Sequence, residues 1–144
     1  ESSRAALERA RGFEGIHPTA GIHPNDSADW EEGFEALESL HEAPEIRAVG
    51  ETGLDLFRDR VPLPVQRASL RRIWIRTEAE RPIILHCREA FPPLFEILKE
   101  HRPVRGVLHC FTGGPEEART CLDLGLCISF AGPLTYPRNE ALRK

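Results

Sequence analysis

The sequence predicts an α/β protein with about five parallel strands and helices between them. Two patterns carry that expectation. Short apolar, β-favouring runs alternate with longer stretches whose apolar residues recur at helical spacing. The connections are short, which suits strands laid side by side in one parallel sheet with right-handed crossovers. A third pattern concerns chemistry. Three of the runs, Ala48 to Glu51, Ile83 to His86 and Gly106 to His109, each finish on a residue that binds metal well.

The chain opens in a helix over Ser2 to Arg11, with Ala5, Ala6, Leu7 and Ala10 as its apolar residues. A strand from Ile16 to Ile22 stops at His23-Pro24-Asn25-Asp26, where Pro24 and the Asn-Asp pair turn the chain. The next helix runs from about Ala28 to His41. Asp26 and Ser27 are its candidate caps, and Trp30, Phe34, Leu37 and Leu40 fall at helical spacing. The strand ending on Glu51 leads into the loop Thr52-Gly53-Leu54-Asp55. Pro62 and Pro64 open a helix over about Val65 to Glu80, with Leu70, Ile73 and Trp74 inward. The strand ending on His86 is followed by Cys87-Arg88-Glu89. Pro92 and Pro93 then sit near the first turn of a helix that runs to about His101. After His109 come Phe111-Thr112-Gly113-Gly114, and Pro115 suits the first turn of a helix that Gly125 ends. Leu126 to Ala131 is the last strand, and Asn139 to Lys144 begin a further helix.

Residues 1–144 are expected to form a single domain. With 40% hydrophobic residues the chain can bury a core. Its 29% charged residues and net charge of −4 argue against a broad basic surface for nucleic acid. Binding to phosphates would need a local patch or a metal ion. The sequence holds no run of about 18 apolar residues, so no membrane span is expected. Cys87, Cys110, Cys121 and Cys127 lack zinc-knuckle spacing and read as reduced, packed thiols of a cytoplasmic protein.

Core packing does not call for Glu51, His86 and His109 at the ends of apolar strands. In a parallel sheet the three collect at one edge, where a carboxylate and two imidazoles form a metal site. Strand alternation puts Val49, Ile84 and Val107 on the same faces as these ligands and turns Cys87 and Cys110 away. His23 ends the preceding strand in the same way, as an outer ligand or a substrate contact. Asp55 can orient a ligand, a water or a substrate group. Arg88 suits a phosphate, whose two oxygens a guanidinium can bond at once. The amides of Thr112, Gly113 and Gly114 precede a helix N-terminus and are a weaker anion site. His17 falls at the opposite rim, and His41 and His101 near helix ends on the solvent side.

Four segments together resemble the TatD family of metal-dependent deoxyribonucleases. They are Ala-Gly-Ile-His-Pro-Asn-Asp at 20–26, Val-Gly-Glu-Thr-Gly-Leu-Asp at 49–55, Ile-Leu-His-Cys-Arg-Glu-Ala at 84–90 and Val-Leu-His-Cys-Phe-Thr-Gly-Gly at 107–114. Residues 128–135 resemble the segment that follows. The resemblance implies a partial (β/α)8 TIM barrel whose catalytic Glu51, with His86 and His109, binds one or two divalent ions, Mg2+, Mn2+ or Zn2+. It places His23, Asp55 and Arg88 against a DNA substrate, whose phosphodiester bond is cleaved by a metal-activated water. The family's His-x-His motif does not occur here, nor does its late Asp ligand. The chain therefore reads as a piece of a longer protein, incomplete at both ends, with weak activity or none of its own. Two other readings keep the metal site: a related amide or ester hydrolase, and a non-catalytic remnant that binds metal or a partner.

Overall fold

The computed structural model describes residues 2–58, 60–77, 81–101 and 104–144, with no account of the side chains of 75–77. The elements are α1 (Ser2–Ala10), β1 (Thr19–Ala20), α2 (Trp30–His41), β2 (Ala48–Asp55), α3 (Leu63–Thr77), β3 (Ile83–Arg88), α4 (Phe91–Lys99), β4 (Gly106–Leu108), α5 (Pro115–Asp123) and β5 (Leu126–Ile128). Short 3-10 turns cover Pro24–Asp26, Gly132–Thr135 and Pro137–Arg143. The strands form one sheet in the order β1-β2-β3-β4-β5, every neighbour parallel. Parallel neighbours need crossover connections, and helices α2 to α5 supply them in turn. This is the expected partial (β/α)8 barrel, five strands and their helices.

The pleat of β3 separates the two faces. Ile83, Leu85 and Cys87 are buried, while Ile84, His86 and Arg88 are half-buried on the opposite face. The buried set joins a core with Leu54, Leu108 and Leu126 of the other strands and Phe34, Leu37, Leu70, Ile73, Trp74, Leu94, Ile97 and Leu98 of the helices. Hydrophobic burial on this side fixes the register, because a slip of one residue would turn Cys87 out and His86 in.

Several expected boundaries move. Strand β2 does not stop at Glu51. Its pairing shifts register between Val49 and Thr52 and then continues as Thr52↔Leu85, Gly53↔His86, Leu54↔Cys87 and Asp55↔Arg88. The presumed loop 52–55 is therefore strand, and His86 is an interior residue of β3. Gly53 permits the pairing: its φ is 146°, and a Cβ there would stand 2.0 Å from the His86 carbonyl oxygen. Strand β1 shrinks to two residues, since Pro18 before it has no amide proton for the ladder. Strand β4 ends at Leu108, one residue before His109, and Cys110 beyond it adopts a left-handed φ of 53°. Pro24–Asp26 form a 3-10 turn that Ser27 closes by donating to the Pro24 carbonyl at 2.8 Å, so α2 begins only at Trp30. The helix expected to reach Glu80 passes outside the described residues after Thr77. The last segment is 3-10 rather than α-helical, with Arg143 donating to the Leu134 and Tyr136 carbonyls at 2.8 Å.

Two histidines expected on the solvent side are packed. His41 donates to the Ala20 carbonyl at 3.0 Å, and burial lowers its pKa. His101 lies 5.4 Å from the Trp74 ring. All four cysteines are free thiols. Burial pushes Cys87 up to about 12 and Cys121 up to about 11.

Gly53→Ala is expected to cost more than about 2 kcal/mol in urea denaturation, whereas Leu122→Ala at an exposed position stays within about 0.5 kcal/mol. In the native protein a thiol reagent at neutral pH should label exposed Cys127 and leave Cys87 and Cys121 untouched until denaturant is added. Rapid native labelling of Cys87 would contradict the packing.

Candidate metal centre

The carboxyl ends of the parallel strands gather the polar residues. His23 follows β1, Glu51 and Asp55 come from β2, and His86 and Arg88 from β3. Ligand atoms of His23, Glu51 and His86 all lie within 4.8 Å of one another. The two imidazole rings meet edge to face with centroids 4.6 Å apart. The Asn25 amide donates to His23 Nδ1 at 3.2 Å and holds that ring in place.

His86 stands between two carboxylates. Its Nδ1 is 3.2 Å from Glu51 Oε1, and its Nε2 is 3.2 Å from Asp55 Oδ2. A neutral imidazole carries one N–H, so only one of these contacts can be a donated hydrogen bond. The other sets a ring lone pair against an anionic oxygen. A proton or a metal ion on that side removes the repulsion. Beside these groups the buried side-chain oxygen of Asn25 has no hydrogen-bond partner. Two imidazoles, a carboxylate and a spare amide oxygen suit a divalent cation by donor type.

Asp55 is buried, yet every one of its polar atoms is engaged. Oδ2 accepts from Asn25 at 3.0 Å and faces His86. Oδ1 accepts the backbone amides of Phe57 at 3.0 Å and Arg58 at 2.9 Å. Gln66 on α3 accepts from the Asp55 amide at 2.8 Å and donates to its carbonyl at 3.0 Å and to the Val61 carbonyl at 2.6 Å. Burial acts to raise the Asp55 pKa, but the Arg58 amide, Asn25 and His86 together hold it below the ordinary carboxylate value. The contact with His86 likewise lowers Glu51, against the opposing effect of its burial. Burial and the neighbouring His86 lower His23, which favours its neutral ring; an ion bound at Nδ1 would take the place of the Asn25 amide.

The remaining expected residues lie around this cluster. Arg88 forms no pair with Glu89; its guanidinium rests 3.7 Å from the centroid of the Phe57 ring. His109 is exposed beyond β4 with Nδ1 3.4 Å from Ser129 Oγ, outside the group of three, although its charge also acts on Glu51. The Gly114 amide donates to Glu117 Oε2 at 2.9 Å, which occupies one donor of the expected anion turn.

Comparison with known proteins places the chain in a family. The sequence model described as TatD related DNase matches residues 1–144. The chain belongs to the TatD family. It is 36% identical over 135 residues to the uncharacterized metal-dependent hydrolase YabD of Bacillus subtilis, covering 91% of this chain and 53% of that protein. It is 37% identical over 134 residues to the 3'-5' ssDNA/RNA exonuclease TatD of Klebsiella pneumoniae, covering 90% and 51%. The crystal structure of the TatD homolog YJJV from Escherichia coli superposes with a TM-score of 0.77 at 32% identity, over 94% of this chain and 54% of that one. The chain thus spans about half the length of these TatD relatives.

Within this TatD-family chain, sequence reasoning missed two residues. The sequence marks Asn25 only as a turn residue and a member of the 20–26 motif, with no role at the site. Gln66 had a signal: with Leu70 and Ile73 it shares the inward spacing of α3, where a polar residue needs a buried partner. Gln66→Leu strands the Asp55 amide and two carbonyls, so it should destabilise the fold by at least about 2 kcal/mol in urea denaturation. An unchanged midpoint would refute the clamp.

Proposed function

We propose that this chain carries part of a divalent-metal phosphodiesterase centre that acts on DNA, with His23, Glu51 and His86 as the group around the ion. The observation that carries the reading is His86 held between two carboxylates with His23 beside it, an arrangement that a cation makes favourable. A divalent ion held there supplies Lewis acidity toward a water and a phosphoryl oxygen.

The protein's own groups divide the other tasks. Asp55 accepts the Nε2 proton of His86, which fixes the tautomer and turns the Nδ1 lone pair toward Glu51 and His23. Glu51 is the catalytic carboxylate: its Oε1 faces the Nδ1 lone pair of His86 across the place for the ion, and Oε2 is the atom to receive a proton from the attacking water. His109 completes the ligand set from the end of β4. His23 and Asp55 border the substrate, and Arg88 balances the phosphate charge.

The name of the Klebsiella relative supports a nucleic-acid substrate, and that of the Bacillus relative supports metal dependence. Residues 1–144 act as one unit in this reading. Four free thiols suit a cytoplasmic setting, and among the described residues no helix is long and apolar enough to cross a membrane.

Calorimetric titration of Mn2+, Mg2+ and Zn2+ into the EDTA-treated chain tests the centre. Glu51→Gln should weaken binding by at least the roughly 10- to 100-fold that loss of an outer-shell partner costs. It should also abolish metal-dependent shortening of a single-stranded oligonucleotide wherever the wild type shows it. Undiminished metal affinity in Glu51→Gln would sink the assignment.

A further inference from the structure

The aromatic ring of Phe57 has no role in the core. It is 53% exposed, immediately beside the metal-binding cluster. One face of the ring is covered by the Arg88 guanidinium at 3.7 Å. The position is well anchored: Asp55 Oδ1 accepts the Phe57 and Arg58 amides, and the Leu56 amide donates to the Arg88 carbonyl at 2.9 Å. The same Asp55 faces His86 through its other oxygen. A single carboxylate therefore sets the distance between the ring and the cluster.

Arg88 connects the ring to a cavity of about 270 Å³, lined by Arg58, Arg60 and Arg88 together with Asp26, Asp55, Asn25, His23 and His86. Among the described residues none of the three arginines pairs with a carboxylate. Three guanidiniums against the two carboxylates of the lining, Asp26 and Asp55, leave a positive excess among the described residues at this opening of a chain of net charge −4. A guanidinium stacked by its face keeps its edge N–H groups free for phosphate oxygens.

We propose that Phe57, Arg58, Arg60 and Arg88 form a nucleotide-holding subsite for single-stranded nucleic acid. The free face of Phe57 stacks on an unpaired base, and the arginines take the adjoining phosphates. The proposal rests on reading the adjacent cluster as a phosphodiesterase centre, which would act on the backbone that this subsite holds. A base in a duplex has both faces covered, so the stacking step selects an unpaired strand end or a single strand. Arg88 serves both parts, backing the ring with its face and meeting phosphate with its edge.

Fluorescence anisotropy in metal-free, low-salt buffer tests this on the 144-residue chain. The probes are a short labelled oligothymidine and an abasic oligomer of equal length. Wild type should bind the oligothymidine roughly tenfold more tightly, within the range that one base stacked on an aromatic ring supports. Phe57→Leu, which keeps apolar bulk without the ring, should erase that preference, and Phe57→Trp should retain it. The double change Arg58→Gln and Arg60→Gln should weaken both probes alike and reduce the salt dependence by a log–log slope of roughly 1.4, for two phosphates on a single strand. No binding by wild type, equal binding of the two probes by wild type, or an intact preference in Phe57→Leu overturns the proposal. The metal titration of Glu51→Gln is read separately. If Phe57→Leu erases the preference while Glu51→Gln leaves metal affinity untouched, the subsite stands and the metal assignment falls; the reverse pair of results does the opposite.

Discussion

The two oxygens of Asp55 divide its interactions between the two halves of the site. Oδ2 takes Asn25 and faces His86, and Oδ1 takes the amides of Phe57 and Arg58. A buried carboxylate is costly unless its charge is met by donors. Here the donors come from the turn after β1, the segment after β2 and the imidazole of β3. The ionised state of one side chain thus holds three successive strand ends in a fixed relation. Gln66 closes the backbone around it from α3, so a helix on the outer layer stiffens chemistry on the inner face. The site's geometry is a property of the sheet and its first helical layer together.

Close approach of backbones makes this possible. Glycine at position 53 lets β2 lie against the His86 carbonyl, and the register shift between Val49 and Thr52 re-aims the strand just where Glu51 leaves it. The pairing then resumes for four residues, carrying Asp55 level with Arg88. Without that continuation Asp55 would sit in a free loop and could not order either the imidazole or the turn that follows.

Much of this was legible in the sequence because it depends on local alternation. The order of strands and helices, the inward Leu70, Ile73 and Trp74, and the opposite facing of His86 and Cys87 all follow from periods of 2 and 3.6 residues. The family motifs likewise marked His23, Glu51, Asp55, His86 and Arg88, which the fold brings to one rim. Other features depend on pairing between distant segments. A Gly-containing stretch such as 52–55 looks like a loop until its partner strand is known, and the 3-10 turn at Pro24–Asp26 competes with a helix start that had good capping residues. The contact of the Arg88 guanidinium with the Phe57 ring, from another strand's end, is of this kind. The contact of His109 Nδ1 with Ser129 Oγ, 3.4 Å away across β4 and β5, likewise depends on pairing that the sequence does not print.

The pleat at His86 and Cys87 has a consequence for which ions the centre can hold. Adjacent residues of β3 offer an imidazole and a thiol, but the thiol points into the core and is pushed up to about 12. The donors left on the open face are nitrogen and oxygen, which discriminate against thiophilic ions such as Cu(I) and leave the choice to borderline and hard divalent cations. One peptide unit thereby keeps a soft donor out of the candidate site, although sulfur lies one residue away.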